Sequence, residues 1–380
     1  MALLLVLSGC ANGDQLRVAT YNVENLFDAE YDGSEFPSFD PRSDHWGAGR
    51  YDRSLENTVQ VIRTLGGGDG ADVLALQEVE NQVVLEDLAR ALASLGYSHR
   101  ILVENTGAFH NAVFSRYPVE AVRTHALALP WSGPGRYILE VDINWNGLVL
   151  RFLVNHWHSK SGGAEASEPS RREAAAVVAR RIRETAAEGG PPVVALGDLN
   201  VNADEYDRIG AAYPTALLPV RLRGEYDPSR ALYLSGKTGG ARVGEQGVVV
   251  YSPWTAGAMP GSYVYQGQWN SIDHILLGPG FAPAREEVVP VREEVFGGAG
   301  LCADAKGADE QRHSPGQANG IVAGGFSVLM EPFMLDSRGA PRRWRSDSAS
   351  GYSDHLPVEM VFCRRWTLGS PIAGIPFAGH

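Results

Sequence analysis

Short apolar runs that end in polar residues recur along this chain. Leu16 to Asn22 reads as a first strand, and Val73 to Leu76 as a second, ending at Gln77-Glu78. Ala112 to Ser115 is a third, stopped by Arg116-Tyr117-Pro118. Tyr137, Leu139, Val141, Ile143 and Trp145 alternate with Glu140, Asp142 and Asn144, which predicts a strand with one wet face. Asn146-Gly147 turns it into a hairpin partner, Leu148 to Asn155. Helical spacing appears instead at Leu55, Val59 and Ile62 within Tyr51 to Leu65. It recurs at Leu85, Leu88, Leu92 and Leu95, closed by Gly96. An Ala- and Arg-rich helix is expected from about Ser170 to Thr185, ahead of the apolar run Val193 to Leu196.

Helices between early strands and hairpins in the middle predict an α+β protein with packed sheets rather than a strictly parallel fold. Arg221 to Gly261 and Arg292 to Ser350 are rich in Gly, Pro and Ser and lack a sustained apolar pattern. Both are expected to be long surface loops inserted in one domain covering residues 11–380.

The length of 380 residues, 44% of them hydrophobic, suffices for a large core. A formal net charge of −12 argues against a protein that lives by unspecific attraction to polyanions. It leaves room for an enzyme that meets phosphates through a bound cation. Residues 1–10 end in Leu7-Ser8-Gly9-Cys10, which resembles the lipobox of bacterial lipoproteins. Cys10 would then be lipidated, and the exported chain would be held at the cell envelope. The apolar stretch is shorter than a usual signal, and no Lys or Arg precedes it. Cys302 and Cys363 remain as a pair that an oxidising compartment would bridge. No other stretch is long and apolar enough to span a membrane.

The segment Gly197-Asp198-Leu199-Asn200 closes a buried strand with a carboxylate and a carboxamide two residues apart. On extended backbone those side chains share one face. A turn would explain that segment alone equally well. Related polar segments stand at other strand ends, however. They are Tyr21-Asn22-Val23-Glu24-Asn25, Leu76-Gln77-Glu78-Val79, Asn111-Ala112-Val113-Phe114-Ser115, Asn155-His156-Trp157-His158, Ile272-Asp273-His274 and Ser353-Asp354-His355. Together, and in this order, they resemble the endonuclease/exonuclease/phosphatase superfamily, the DNase I-like fold. The likeness covers most of Leu16 to Phe362.

That resemblance implies a four-layer α/β/β/α sandwich of two packed mixed sheets, with the site at one sheet edge. It also implies hydrolysis of phosphoesters dependent on Mg²⁺, with Mn²⁺ or Ca²⁺ as substitutes. Glu78 is then the first metal ligand, Asn22 its neutral oxygen neighbour, and Asp354 a second contact, with Glu24 helping through water. His355 would be the general base, oriented by Asp273. Asp198 and Asn200 would position the water and hold a phosphoryl oxygen. His156 would donate to the phosphate or the leaving group, with His158 as the competing candidate. Asn111 would donate to a phosphoryl oxygen.

The leading expectation for the substrate is a nucleic acid, cut by a nuclease or related phosphodiesterase, although the long stretch from Phe281 to Gly351 between the Ile-Asp-His and Ser-Asp-His segments departs from the family's simplest members and leaves the substrate open. A phospholipid phosphodiesterase of the sphingomyelinase kind and an inositol-phosphate phosphatase are the alternatives. Lipid access would need exposed aromatics, for which Tyr251, Trp254, Tyr263, Tyr265 and Trp269 are available. A surface binding protein that kept the fold but lost catalysis is the alternative from another class. No protein partner is expected.

Overall fold

The computed structural model describes residues 15–127, 136–255, 257, 259–282 and 320–364. In chain order these form β1 (Gln15–Leu26), α1 (Ala48–Thr64), β2 (Val73–Val79), α2 (Gln82–Ala91), β3 (His99–Leu102), β4 (His110–Ser115) and β5 (Val119–Ala126). Next come β6 (Tyr137–Trp145), β7 (Leu148–His156), α3 (Ala164–Ala187), β8 (Val193–Asp198), α4 (Glu205–Arg208) and β9 (Leu217–Pro219). The remainder are β10 (Leu232–Ser235), β11 (Arg242–Gly244), β12 (Gly247–Tyr251), β13 (Tyr263–Tyr265), β14 (Gln268–Asn270), β15 (Asp273–Leu277), β16 (Ile321–Val328) and β17 (Val358–Arg364).

One sheet runs β16-β17-β1-β2-β4-β3, and the other β5-β6-β7-β8-β15-β12-β10-β9 with β11 beside β12. Both are mixed. β1 and β2 are parallel across α1, and β7 and β8 are parallel across α3, while most other pairs are antiparallel. Alternation on β1 assigns its faces. Leu16 and Val18 share a core with Val141, Phe152, Val194 and Ile275 of the second sheet. Ala19 and Tyr21 share one with Val59 and Ile62 of α1 and with Leu85 and Leu88 of α2. Ala174, Val178 and Ile182 of α3 join the core of the second sheet. The result is the expected four-layer α/β/β/α sandwich.

Three expectations change. The face of β6 carrying Glu140 and Asp142 is dry, with Glu140 fully buried. Arg181 of α3 reaches Glu140 at 2.8 Å, and Arg151 reaches Asp142 at 2.8 Å. An alternating polar row means water only when no helix supplies counter-charges. Arg221 to Gly261 is not a plain loop, because β10, β11 and β12 extend the second sheet there. These strands of three to five residues gave too short an apolar signal, yet Tyr233, Val248 and Val249 are fully buried. Within the second stretch, β16 pairs with β17, and its Gly324-Gly325 sits at a register shift that breaks the alternation. Cys10 and Cys302 lie outside the described residues. Cys363 is disulfide-bonded. Among the described residues no helix is long and apolar enough to cross a membrane.

Candidate active site

The parallel strands deliver their C-terminal ends to one edge of the sandwich. Asn22 on β1 lies beside Gln77 on β2, and His156 on β7 lies beside Asp198 on β8. Asp273, the first residue of β15, is the register partner of Asp198. His355 enters from the segment before β17 through a single bridge to Tyr263. Register shifts between Asn22 and Leu26, and between Leu76 and Val79, bulge β1 and β2 at this edge. Glu24, Asn25 and Glu78 at these bulges, and Asn200 after β8, hold φ between 52° and 67°, left-handed backbone that glycine and asparagine adopt most readily and that costs more at the two glutamates.

Asp273 Oδ2 lies 2.9 Å from His355 Nδ1 and accepts from Ser262 Oγ at 2.6 Å. The imidazole is thereby fixed, with Nε2 at 3.8 Å from both Asp198 Oδ2 and Asp354 Oδ1. Asp198, Asp273 and His355 are all buried, and one donor atom of each lies within 4.8 Å of the others. Burial alone would lower the His355 pKa, but Asp273 and then Asp198 outweigh it and hold the imidazole well above its ordinary value. Burial likewise pushes Asp198 up to about 7, relieved by His355 and reinforced by Asp273.

Asn200 does not reach Asp198 by strand alternation, because β8 ends at Asp198. Its left-handed turn folds it back, and its backbone N and Nδ2 donate to Asp198 at 2.9 and 3.1 Å. His156 Nε2 lies 3.5 Å from Glu78 Oε1 and 3.7 Å from Asp198 Oδ2. Burial, then the charges of Arg136 and His355, hold it well below its ordinary pKa. His158 is beyond the strand, with Nδ1 at 2.8 Å from the Ser159 carbonyl. Of the two histidines, His156 is the one placed beside Glu78 and Asp198.

Glu78 Oε2 accepts from Asn25 N at 2.8 Å, and Oε1 from Asn22 Nδ2 at 3.0 Å. Burial raises its pKa, opposed by the Asn22 bond and reinforced by the Asp354 charge. A buried carboxylate that feels a second carboxylate's charge is a hard oxygen donor of the kind a divalent cation suits.

Asn22 departs from its expected role. Its Oδ1 accepts from Glu24 N at 3.0 Å, while Nδ2 donates to Glu78 and to Asp198 at 3.0 and 3.1 Å, so its amide aligns two carboxylates. Glu24 departs too. Its oxygens take Arg343, Trp344 N and Asp354 N, and burial pushes it up to about 8. Asn111 Nδ2 is engaged by the carbonyls of Tyr137 and Val154 at 3.4 and 3.3 Å, which takes up the donor expected for phosphate.

Sequence reasoning missed Arg136, Ser262, Ser353 and Arg343. Arg136 donates to the carbonyls of His156 and Trp157, and its charge is felt by Glu78 and Asp198. Ser353 Oγ binds the Asn22 carbonyl at 2.8 Å and accepts from His355 N at 3.0 Å. No period or spacing marks these residues. Only the serine of Ser-Asp-His was on view.

A search among curated proteins returned no sequence match of significance. Solved structures are similar at low identity. Truncated Caenorhabditis elegans TDP2 is 16% identical, with 92% of this chain and 97% of that one covered and a TM-score of 0.49. An endonuclease/exonuclease/phosphatase family protein from Bacteroides thetaiotaomicron is 16% identical, covering 93% and 98%, TM-score 0.47. Sphingomyelinase C from Streptomyces griseocarneus is 14% identical, covering 91% and 99%, TM-score 0.47. The stronger finding is in the sequence: the model of the Endonuclease/Exonuclease/phosphatase family matches residues 17–209, half of the chain. The chain belongs to the endonuclease/exonuclease/phosphatase family.

Proposed function

We propose that the protein is a divalent-cation-dependent phosphodiesterase acting on nucleic acid. The observation that carries it is the run Asp273–His355–Asp198, at 2.9 and 3.8 Å, beside the Glu78 carboxylate. Glu78 and Asp354 would hold the cation, Mg²⁺ in the first instance, which supplies neutralisation of phosphoryl oxygens when bound. Asp273 keeps the proton on His355 Nδ1, so Nε2 faces Asp198. His355 Nε2 and Asp198 then share one proton, and the member without it takes the proton of the attacking water. Asn22 and Asn200 fix the carboxylate of Asp198 for that step. His156, neutral because it is buried, donates from Nε2 to a phosphoryl or leaving oxygen.

The rim supports a polyanion over a lipid. Arg338, Arg342, Arg343 and Arg345 are all exposed. Arg338 and Arg343 line a cleft of about 640 Å³ together with Asp354, Tyr263 and Tyr265. They place cations where a phosphate backbone would run, despite the acidic net charge. Of the five aromatics a lipid enzyme would use, only Tyr265 is exposed, and Trp254 is tied by Nε1 to the Asp273 carbonyl at 2.9 Å.

A divalent-metal activity panel over DNA, RNA, sphingomyelin and inositol phosphates tests the proposal. EDTA should abolish turnover, and His355→Ala or Asp198→Asn should lower it at least about a hundredfold. Full activity in either variant refutes the assignment. Turnover of sphingomyelin alone moves the substrate to lipids, and binding without turnover in any divalent ion leaves a binding protein. Export with a lipid anchor rests on Leu7-Ser8-Gly9-Cys10, and palmitate labelling that survives Cys10→Ala would remove it.

A further inference from the structure

Away from the Glu78 centre, the segment that leaves β1 folds back on the end of β2. There Asp32, Glu35 and Glu80 each bring a carboxylate oxygen within 4.8 Å of the others. Glu80 is 2% exposed, and its Oε1 has no hydrogen-bond partner, while Oε2 accepts from Asp28 N at 2.6 Å. A buried carboxylate oxygen left bare is costly unless a proton or a positive group completes it. Among the described residues no base does so. Arg42, the closest in sequence, lies over the Tyr31 ring and pairs with Asp40.

We propose that Asp32, Glu35 and Glu80 bind a calcium-class cation that fastens the β1–α1 connection to the end of β2. The residue types suit a hard ion of high coordination number. Glu35 also accepts from Asp32 N at 2.6 Å and Gly33 N at 2.9 Å, and Asp32 Oδ1 accepts from Ser34 N at 2.8 Å, so the carboxylates are held in place. Asp32 is exposed and Glu35 half-buried, which leaves sides of the ion to water. Asp28-Ala29-Glu30-Tyr31-Asp32-Gly33 repeats the alternate acids and following glycine of the first half of a helix-flanked calcium loop, with Gly33 at φ 93°. No helix flanks it here, and Glu80, just past the end of β2, closes the site instead.

The test uses the full chain, stripped with EDTA and titrated with Ca²⁺ by calorimetry. A parallel titration uses Tb³⁺, whose emission Trp46 can sensitise because its Nε1 binds the Asp28 carbonyl. The unaltered chain should bind one Ca²⁺ that Glu78→Gln retains. Asp32→Asn/Glu35→Gln, at solvent-facing positions, should lose it by at least about tenfold in affinity, together with the Tb³⁺ signal. Glu80→Gln keeps an acceptor for Asp28 N and should show the same loss. Its unchanged circular dichroism would separate that loss from misfolding. Unaltered Ca²⁺ binding and Tb³⁺ emission in the double variant overturn the proposal. So does loss of both in Glu78→Gln, which would put the ion at the active centre.

Discussion

Asp198 is buried between His355, Asn22 and Asn200, and its carboxyl titrates at about 7. The folded chain therefore keeps a proton there that the unfolded chain releases. Its contribution favours folding at low pH and is lost as pH rises through about 7. Glu24 acts in the same sense up to about 8, and His355, raised above its ordinary value, does too. His156 and His274 oppose them, since burial lowers both, His274 to about 4. Melting of the cation-free protein should show Asp198→Asn more stable than the unaltered chain at about pH 8, by roughly 1–3 kcal/mol, and the gap should close toward about pH 5. Activity should run the other way. It should fall below about pH 7 as Asp198 takes up a proton beside His355, whose imidazole is held protonated to higher pH, a limb that Asp198→Asn would erase along with the turnover. At this scale the sequence was legible where a residue's type dictates its chemistry, as at Asp273, His355 and Glu78. It was illegible where an amide can present either end, and Asn22 and Asn111 were turned by neighbours that no local pattern reveals.

Among the elements, β8 carries the tightest constraint. Gly197 has φ 125°, and a Cβ there would stand 2.0 Å from the Asn155 carbonyl oxygen of β7. Backbone of two parallel strands meets at that point, so no side-chain rotation relieves the clash. Gly197→Ala should destabilise the protein by about 2–5 kcal/mol and move Asp198 relative to His156, readable as a lowered melting temperature with lost turnover. An unchanged melting temperature would contradict that close approach. The strand itself was legible because four apolar residues follow a Pro-Pro break. β9 to β12 and β16 were not. Pieces of three to five residues leave no period to detect at β9 through β12, and the register shift at Gly324-Gly325 breaks the alternation of β16.

For the whole molecule, four exposed arginines between Arg338 and Arg345 gather beside the candidate site of a chain whose net charge is −12, although Asp336 and Asp347 pair with Arg338 and Arg345. Arg338→Ala/Arg342→Ala/Arg345→Ala spares Arg343, which is engaged with Glu24. We expect KM for DNA to rise about tenfold or more at low salt with kcat little changed, and the salt dependence of KM to flatten, as phosphate contacts are removed. Equal KM values across a salt series would remove the rim from substrate binding. The segment read as an unstructured insertion is pinned, since Arg342 N donates to the Met334 carbonyl at 2.7 Å and Trp344 is buried. Its role was invisible to composition because Gly, Pro, Ser and Arg mark loops whether or not tertiary contacts hold them.

The left-handed backbone at Glu24, Asn25, Glu78 and Asn200 has a consequence for what this site can become. Substitutions there meet two filters in succession: the conformation first, then the chemistry. Asn, Asp and Gly pass the first at little cost, whereas Val, Ile and Thr fail it whatever charge or metal they face. The edge that carries the candidate site is thus open to drift among a few small polar residues. It is closed to the β-branched residues that fill the strands on either side of it.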